Sequence, residues 1–197
     1  MVLSLEGRTG TLRGTHVGDS GFRVLRAGAV VHASQPQQHD FDCPLQLGCK
    51  KYIPDTDTAD AGITTEVALQ AGDLLLVASD GLFDNVNPDE MLQIAAEALG
   101  AEPPGADGAG AYAAAARVAA SLAAVAKEHS GDKAYDSPYA RDAKRDSEQR
   151  RAAAGPLGAF AAAFGRGGDE PQPVRPASLP IATSLRERRL TRCNDAD

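Results

Sequence analysis

The stretch "VASDGLFDNV", residues 77 to 86, constrains this chain more than any other. The apolar run Leu74, Leu75, Leu76 and Val77 stops at Ser79-Asp80-Gly81, and a second acid, Asp84, follows closely. Consecutive apolar residues of this kind suit a strand buried on both faces, inside a layered structure. Asp followed by Gly then favours a sharp turn, because the Asp side chain accepts from nearby backbone N–H groups. The next segment carries helix-start signals. Asn87 can cap, Pro88 suits the first helical position, and Asp89 and Glu90 lie at the positive end of the helix dipole. Met91, Leu92, Ala95, Ala98 and Leu99 then recur at helical spacing.

The flanking sequence extends this pattern. "TLRGTHVGDS" and "GFRVLRAGAVVHAS" alternate as strands do, with Phe22, Val24 and Val30 on the strand period and a turn at Ala27-Gly28. Residues 36 to 62 read as loop, rich in Pro, Asp and Gly. "ITTEVALQ" and "DLLLVAS" read as two strands joined by Ala71-Gly72. "AEPPGADGAG" ends the first helix. A second is predicted over about 110 to 129, with Tyr112, Ala115, Ala119, Leu122 and Val125 or Ala126 toward a core. A third starts at Ser137-Pro138. From about Lys144 the composition shifts to Ala, Gly, Pro and Arg, with helix within reach around 146 to 164. The segment carrying Pro171, Pro173, Pro176 and Pro180 has the composition of disorder.

With 197 residues the chain is one domain, or a smaller domain with a tail. A net charge of -7 argues against nonspecific nucleic-acid binding, which needs a basic face. Cys43, Cys49 and Cys193 lack paired zinc-ligand spacing, and an odd count makes a poor disulfide framework, so a reducing compartment is expected. No apolar run approaches about 18 residues, so no membrane span is expected. "MVLSLEGRTG" is too short and polar for a signal peptide and too abrupt for a transit peptide, so no targeting segment is read there.

Two acids follow strand-like segments: Asp19 in "HVGDSGF" and Asp80 in "VASDGLF". Turn chemistry alone explains any single such Asp. Both are also candidate ligands for a hard metal, since Mg2+ and Mn2+ prefer carboxylate oxygens and keep several waters. Spacing does not show that the two converge. His16, His32 and His39 read as packed or solvated side chains, and His129 as a helix-end residue favoured by the dipole. The Arg-rich "RERRL" reads as a solvated tail.

"GDSGFRVLRAGAVVHASQPQQHDFDCPLQLG", then "DTDTADA", then "TEVALQAGDLLLVASDGLFDNVNPDEM", resembles the metal-dependent serine/threonine protein phosphatases, the PPM or type 2C family. The branch resembled has mitochondrial and plastid members, and "AYDSPYARDA" looks like its late helical segment. The likeness covers roughly residues 11 to 143. It implies an α+β fold, here part of a two-sheet antiparallel β-sandwich flanked by helices (αββα), with a disordered C-terminal tail. The implied division is a partial phosphatase domain over 1–143 and a low-complexity, partly helical then disordered tail over 144–197.

The resemblance implies hydrolysis of phosphoserine and phosphothreonine in proteins by water activated at a Mn2+ or Mg2+ pair, without a phosphoenzyme. Asp80 would be a direct metal ligand, and Asp19 would serve an additional metal beside the pair. Asp84 would stabilise the turn and helix start. Two family elements do not appear. The Asp-Gly-x-Gly-Gly turn is absent, and the late Asp-Asp-x-Thr turn has only "GRGGDEPQPV" as a stand-in, with Asp169 and Glu170 ahead of Pro171 and Pro173. Proline lacks the N–H a strand ladder needs. An incomplete phosphatase domain is therefore expected, the alternative being a catalytically inactive phosphatase-like chain that binds or regulates a partner. Bare sheet edges would invite association. The branch suggests a mitochondrion or plastid.

Overall fold

The structure is a computed structural model that describes residues 1–100 and 108–154. Its strands are β1 (Val2–Glu6), β2 (Thr11–His16), β3 (Gly21–Arg26), β4 (Ala29–Ala33), β5 (Gln38–Asp40), β6 (Cys43–Pro44), β7 (Ile63–Ala68) and β8 (Leu74–Ala78). Its helices are α1 (Asp80–Phe83), α2 (Pro88–Leu99), α3 (Gly108–Gly131) and α4 (Pro138–Ala153). The chain is α+β, as expected. Two antiparallel three-stranded sheets run in the orders β1-β2-β7 and β4-β3-β8, with β5 and β6 as a small pair beside them.

Strand alternation builds two cores. From one sheet Leu3, Leu12 and Val67 meet Phe22, Val24 and Leu75 of the other, and this layer is the sandwich interior. On the opposite face of the second sheet, Leu25, Leu74 and Leu76 pack against Val86, Met91 and Ala95 and against Val118, Leu122 and Ala126 of α3. The run Leu74–Leu76 thus divides its residues between two cores, which is why it shows no alternation. Val77 does not follow it inside: it is 52% exposed. β7 and β8 are consecutive but do not pair. The turn at Ala71-Gly72 carries the chain from one sheet to the other, with Gly72 at a positive φ of 92°.

Other expectations meet the structure unevenly. The Ala27-Gly28 turn joins β3 to β4 with φ of 48° and 77°, the two positive values that a tight hairpin needs. β1 was not foreseen. On α3 the buried residues are Ala114, Val118, Leu122 and Ala126, while Tyr112 is 78% exposed and Ala115 and Ala119 face outward. Alanines on every side of that helix leave the periodicity nearly flat, so the buried stripe was displaced by one residue. α3 is also apolar and long enough to cross a membrane by length and composition, contrary to the expectation drawn from the lack of an unbroken apolar run. Its Val118, Leu122 and Ala126 pack against the protein core. Ser137 caps α4 by accepting from the Ala140 N–H at 3.0 Å. α4 runs through positions 143 and 144, where the tail was expected to begin. Cys43 is buried, and Cys49 is a free, exposed thiol. Asp169, Glu170, Cys193 and the "RERRL" segment lie outside the described residues.

Candidate functional site

The antiparallel register of β3 and β8 places the two candidate acids. Gly21 pairs with Ala78 at the end of the ladder. Asp19 lies two residues before Gly21 and Asp80 two residues after Ala78, so both leave the sheet at the same end. This adjacency could not be read from spacing, because it depends on which strands pair.

Asp80 opens α1. Its Oδ1 accepts from the Gly81 N–H at 2.7 Å, and its carbonyl accepts from the Asp84 N–H at 2.7 Å. The Asp-Gly pair, expected as a turn, thus forms the first residues of a one-turn helix that follows β8 directly. Next to it, a cavity of about 380 Å³ lies between the start of β3, the loop after β4, α1 and the start of α4. Asp19, Asp42, Asp84 and Asp142 all contribute to its wall, and so does Arg23. Asp80 is not among the wall residues, whereas Asp84 is.

Asp42 and Asp142 were missed in the sequence. Asp42 sits at a positive φ of 58°, a conformation Asp tolerates better than most residues. Asp142 lies on α4 one turn from Tyr139, which also borders the cavity. The Tyr139 N–H donates to the Asp84 carbonyl at 3.1 Å and its ring packs on Phe41, with centroids 5.5 Å apart. These contacts bring α4 against the turn, and only the folded chain reveals them. Arg23 lies 4.6 Å over the Phe83 ring and donates to the Met91 sulfur at 3.2 Å. Burial pulls its pKa below the usual guanidinium value.

Four acids and one arginine are among the wall residues, and Asp142 is paired with Arg145 at 3.0 Å. Carboxylate oxygens suit Mg2+ or Mn2+ in type. In number they fall short: among the described residues, no group of three or more His, Cys, Asp or Glu side chains could hold a metal ion.

The histidines do structural work. His16 is 2% exposed and its Nε2 lies 2.9 Å from the Gln35 carbonyl oxygen. His32 stacks on Phe22, with centroids 5.2 Å apart. His39 pairs with Asp57 at 3.0 Å. His129 reaches the Asn85 carbonyl through Nδ1 at 2.8 Å and stacks on Tyr135, joining the end of α3 to the start of α2. Asn87, at the cap position of α2, gives its amide N–H to the Tyr135 hydroxyl at 2.7 Å and accepts from Arg141. No side-chain cap bond forms there.

No family model matches the chain. Individual proteins do. A probable protein phosphatase 2C 1 of Oryza sativa subsp. japonica is 37% identical over 144 residues, covering 73% of this chain and 38% of that protein. A probable protein phosphatase 2C 26 of Arabidopsis thaliana is 34% identical over 73% of this chain and 43% of its own length. A human protein phosphatase PTC7 homolog is 41% identical over 95 residues, 46% of this chain and 31% of its own. Among solved structures, the X-ray structure of the photosystem II phosphatase PBCP superposes with a TM-score of 0.61 and 34% identity, over 73% of this chain and 49% of that one. The chain spans less than half the length of each of these proteins.

Proposed function

The chain belongs to the PPM, or type 2C, protein phosphatase family, and we propose that it contributes to Mn2+- or Mg2+-dependent hydrolysis of phosphoserine and phosphothreonine in proteins. Asp80 is a metal ligand in this reading and Asp19 a ligand of an additional ion beside it. The observation that carries the reading is the shared exit of Asp19 and Asp80 from the paired end of β3 and β8. When bound, such ions lower the pKa of a coordinated water and neutralise phosphate charge. The presence of Asp19, Asp42, Asp84 and Asp142 in the cavity wall supports the same reading, since carboxylate oxygens suit hard cations. Asp80 is held for that task by the Gly81 N–H, and the docking of Tyr139 on Asp84 keeps the turn in place. A mitochondrial or plastid location, carried by the branch resemblance, belongs to this reading and is tested by fractionation of tagged protein.

Calorimetric titration of Mn2+ into the purified chain tests the site. Weak binding is expected from a partial carboxylate set, and Asp80→Asn should abolish it without changing the far-UV circular dichroism. Binding indifferent to Asp80→Asn would overturn the ligand assignment. No binding at all would favour the other reading, a phosphatase-like chain that acts by binding a partner.

A further inference from the structure

We infer that His129 is a positioning residue for the Asp80 turn, which it holds through Asn85 by a hydrogen bond from the last turn of α3. Its bearing on metal binding rests on the phosphatase reading. Its hold on the turn rests on geometry alone.

The turn is stitched first from within. The Asp84 N–H donates to the Asp80 carbonyl at 2.7 Å, and the Asn85 and Val86 N–H groups donate to the Leu82 carbonyl at 3.2 and 3.0 Å. The Asn85 side chain reaches back across the turn, where its amide N–H donates to the Gly81 carbonyl at 3.1 Å. Gly81 is the residue whose own N–H holds the Asp80 carboxylate. Asn85 is 2% exposed, so it sits wedged beneath the turn. Any displacement of Asn85 is carried to Gly81 and from there to Asp80. A helix as short as α1 has too few bonds of its own to fix its geometry.

Two consecutive carbonyls at the exit of the turn are then held from outside. That of Asp84 accepts from the Tyr139 N–H at the start of α4, and that of Asn85 lies 2.8 Å from His129 Nδ1. A carbonyl oxygen can only accept, so Nδ1 carries the hydrogen. The imidazole is locked in this orientation. Its face stacks on Tyr135 with centroids 3.7 Å apart, and Nε2 lies 3.5 Å from one Glu90 oxygen. The Tyr135 hydroxyl donates to the other Glu90 oxygen at 2.8 Å and accepts from Asn87 at 2.7 Å. The His129 side chain is 15% exposed, so water is a poor substitute at the Asn85 carbonyl. A role confined to the helix dipole would need no such partner. Groups that orient a ligand without touching the ion change metal affinity through geometry.

The test follows amide exchange at Asp84, Asn85 and Val86 in the full chain, with substitutions that separate the donor from the ring. His129→Asn keeps an N–H at the position of Nδ1 and loses the ring. His129→Phe keeps a ring against Tyr135 and loses the donor. His129→Gln sets its N–H one bond further out. Exchange should speed about tenfold in His129→Phe and His129→Gln, and stay within about threefold of the parent in His129→Asn. Mn2+ affinity should follow the same order, with a loss of about tenfold in the first two. Tolerance of Phe but not Asn would make His129 a packing residue and overturn the proposal. Equal effects of all the substitutions, or none, would overturn it too. If His129→Phe does not fold, His129→Asn against His129→Gln makes the same comparison. Mn2+ titration of the same samples keeps the two readings apart. A turn that loosens and recovers in the expected order, with no Mn2+ bound to any sample, defeats only the metal-ligand reading. Mn2+ binding that depends on Asp80 but is alike in every His129 variant defeats only this one.

Discussion

Asp73 holds the turn between the two sheets with a carboxylate that is almost fully covered. Arg26 donates to it through Nε and Nη2, both at 2.7 Å, and the Gln70 N–H donates at 2.8 Å. The Asp73 side chain is 2% exposed and that of Arg26 28%. The Arg26 hydrogen bonds, more than any other cause, hold the Asp73 carboxyl near a pKa of about 2. A folded-state pKa below the unfolded value gives stability that is complete above the ordinary carboxyl range and is lost as pH falls toward the folded value. Stability from this pair should therefore decline between pH 4 and pH 2, the span between the ordinary 3.8 and about 2. Asp73→Asn should cost about 1.5–3 kcal/mol at neutral pH in urea unfolding, and flatten that acid limb. A second residue-scale prediction concerns Ala27, whose φ of 48° suits few side chains. Ala27→Asn should stabilise by about 0.5–1 kcal/mol in thermal unfolding, since Asn tolerates this conformation and is favoured in such turns.

At the scale of elements, α3 shows how local sequence can specify a helix but not its orientation. Its length was legible, since no strong breaker interrupts it before Gly131. Its face was not, because alanine contributes little amphipathic signal in any direction. Val118, Leu122 and Ala126 mark the buried stripe only once α2 and β8 are in place. Leu122→Ala should cost about 2–5 kcal/mol, while Ala116→Ser, on an exposed position, should change stability by less than about 0.5 kcal/mol. Equal effects of the two in denaturant unfolding would contradict the packing described. The helix starts were easier. Ser137 caps as its residue type predicts, but Asn87 uses its amide on Tyr135 and Arg141. Propensity locates a cap position, and tertiary contacts decide whether the side chain fills the role.

In the whole molecule, the two sheets approach closely at one glycine. A Cβ on Gly14 would come within 2.6 Å of Leu3 Cδ2 and 3.3 Å of Phe22 Cε1. Gly14→Val should push the sheets apart and cost about 1–3 kcal/mol, measured as a lowered denaturant midpoint. The same closeness sets Phe22 and Val24 beneath Leu12, and with them the end of β3 from which Asp19 departs.

What the sequence by itself determined is local. Apolar runs, Asp-Gly turns and cap residues specified the β3–β4 hairpin, the strand Leu74–Ala78, the acidic turn at Asp80 and the three long helices, because each is governed by neighbours a few positions apart. Ordered motifs also pointed to the family. Strand pairing was decided only in three dimensions. It brought Asp19 and Asp80 to one end of β3 and β8, and the packing of α4 added Asp142 beside Asp42 and Asp84. Those acids are far apart along the chain, and no local preference encodes which turns will meet. Burial of the two apolar faces selects that pairing, and the site follows from it.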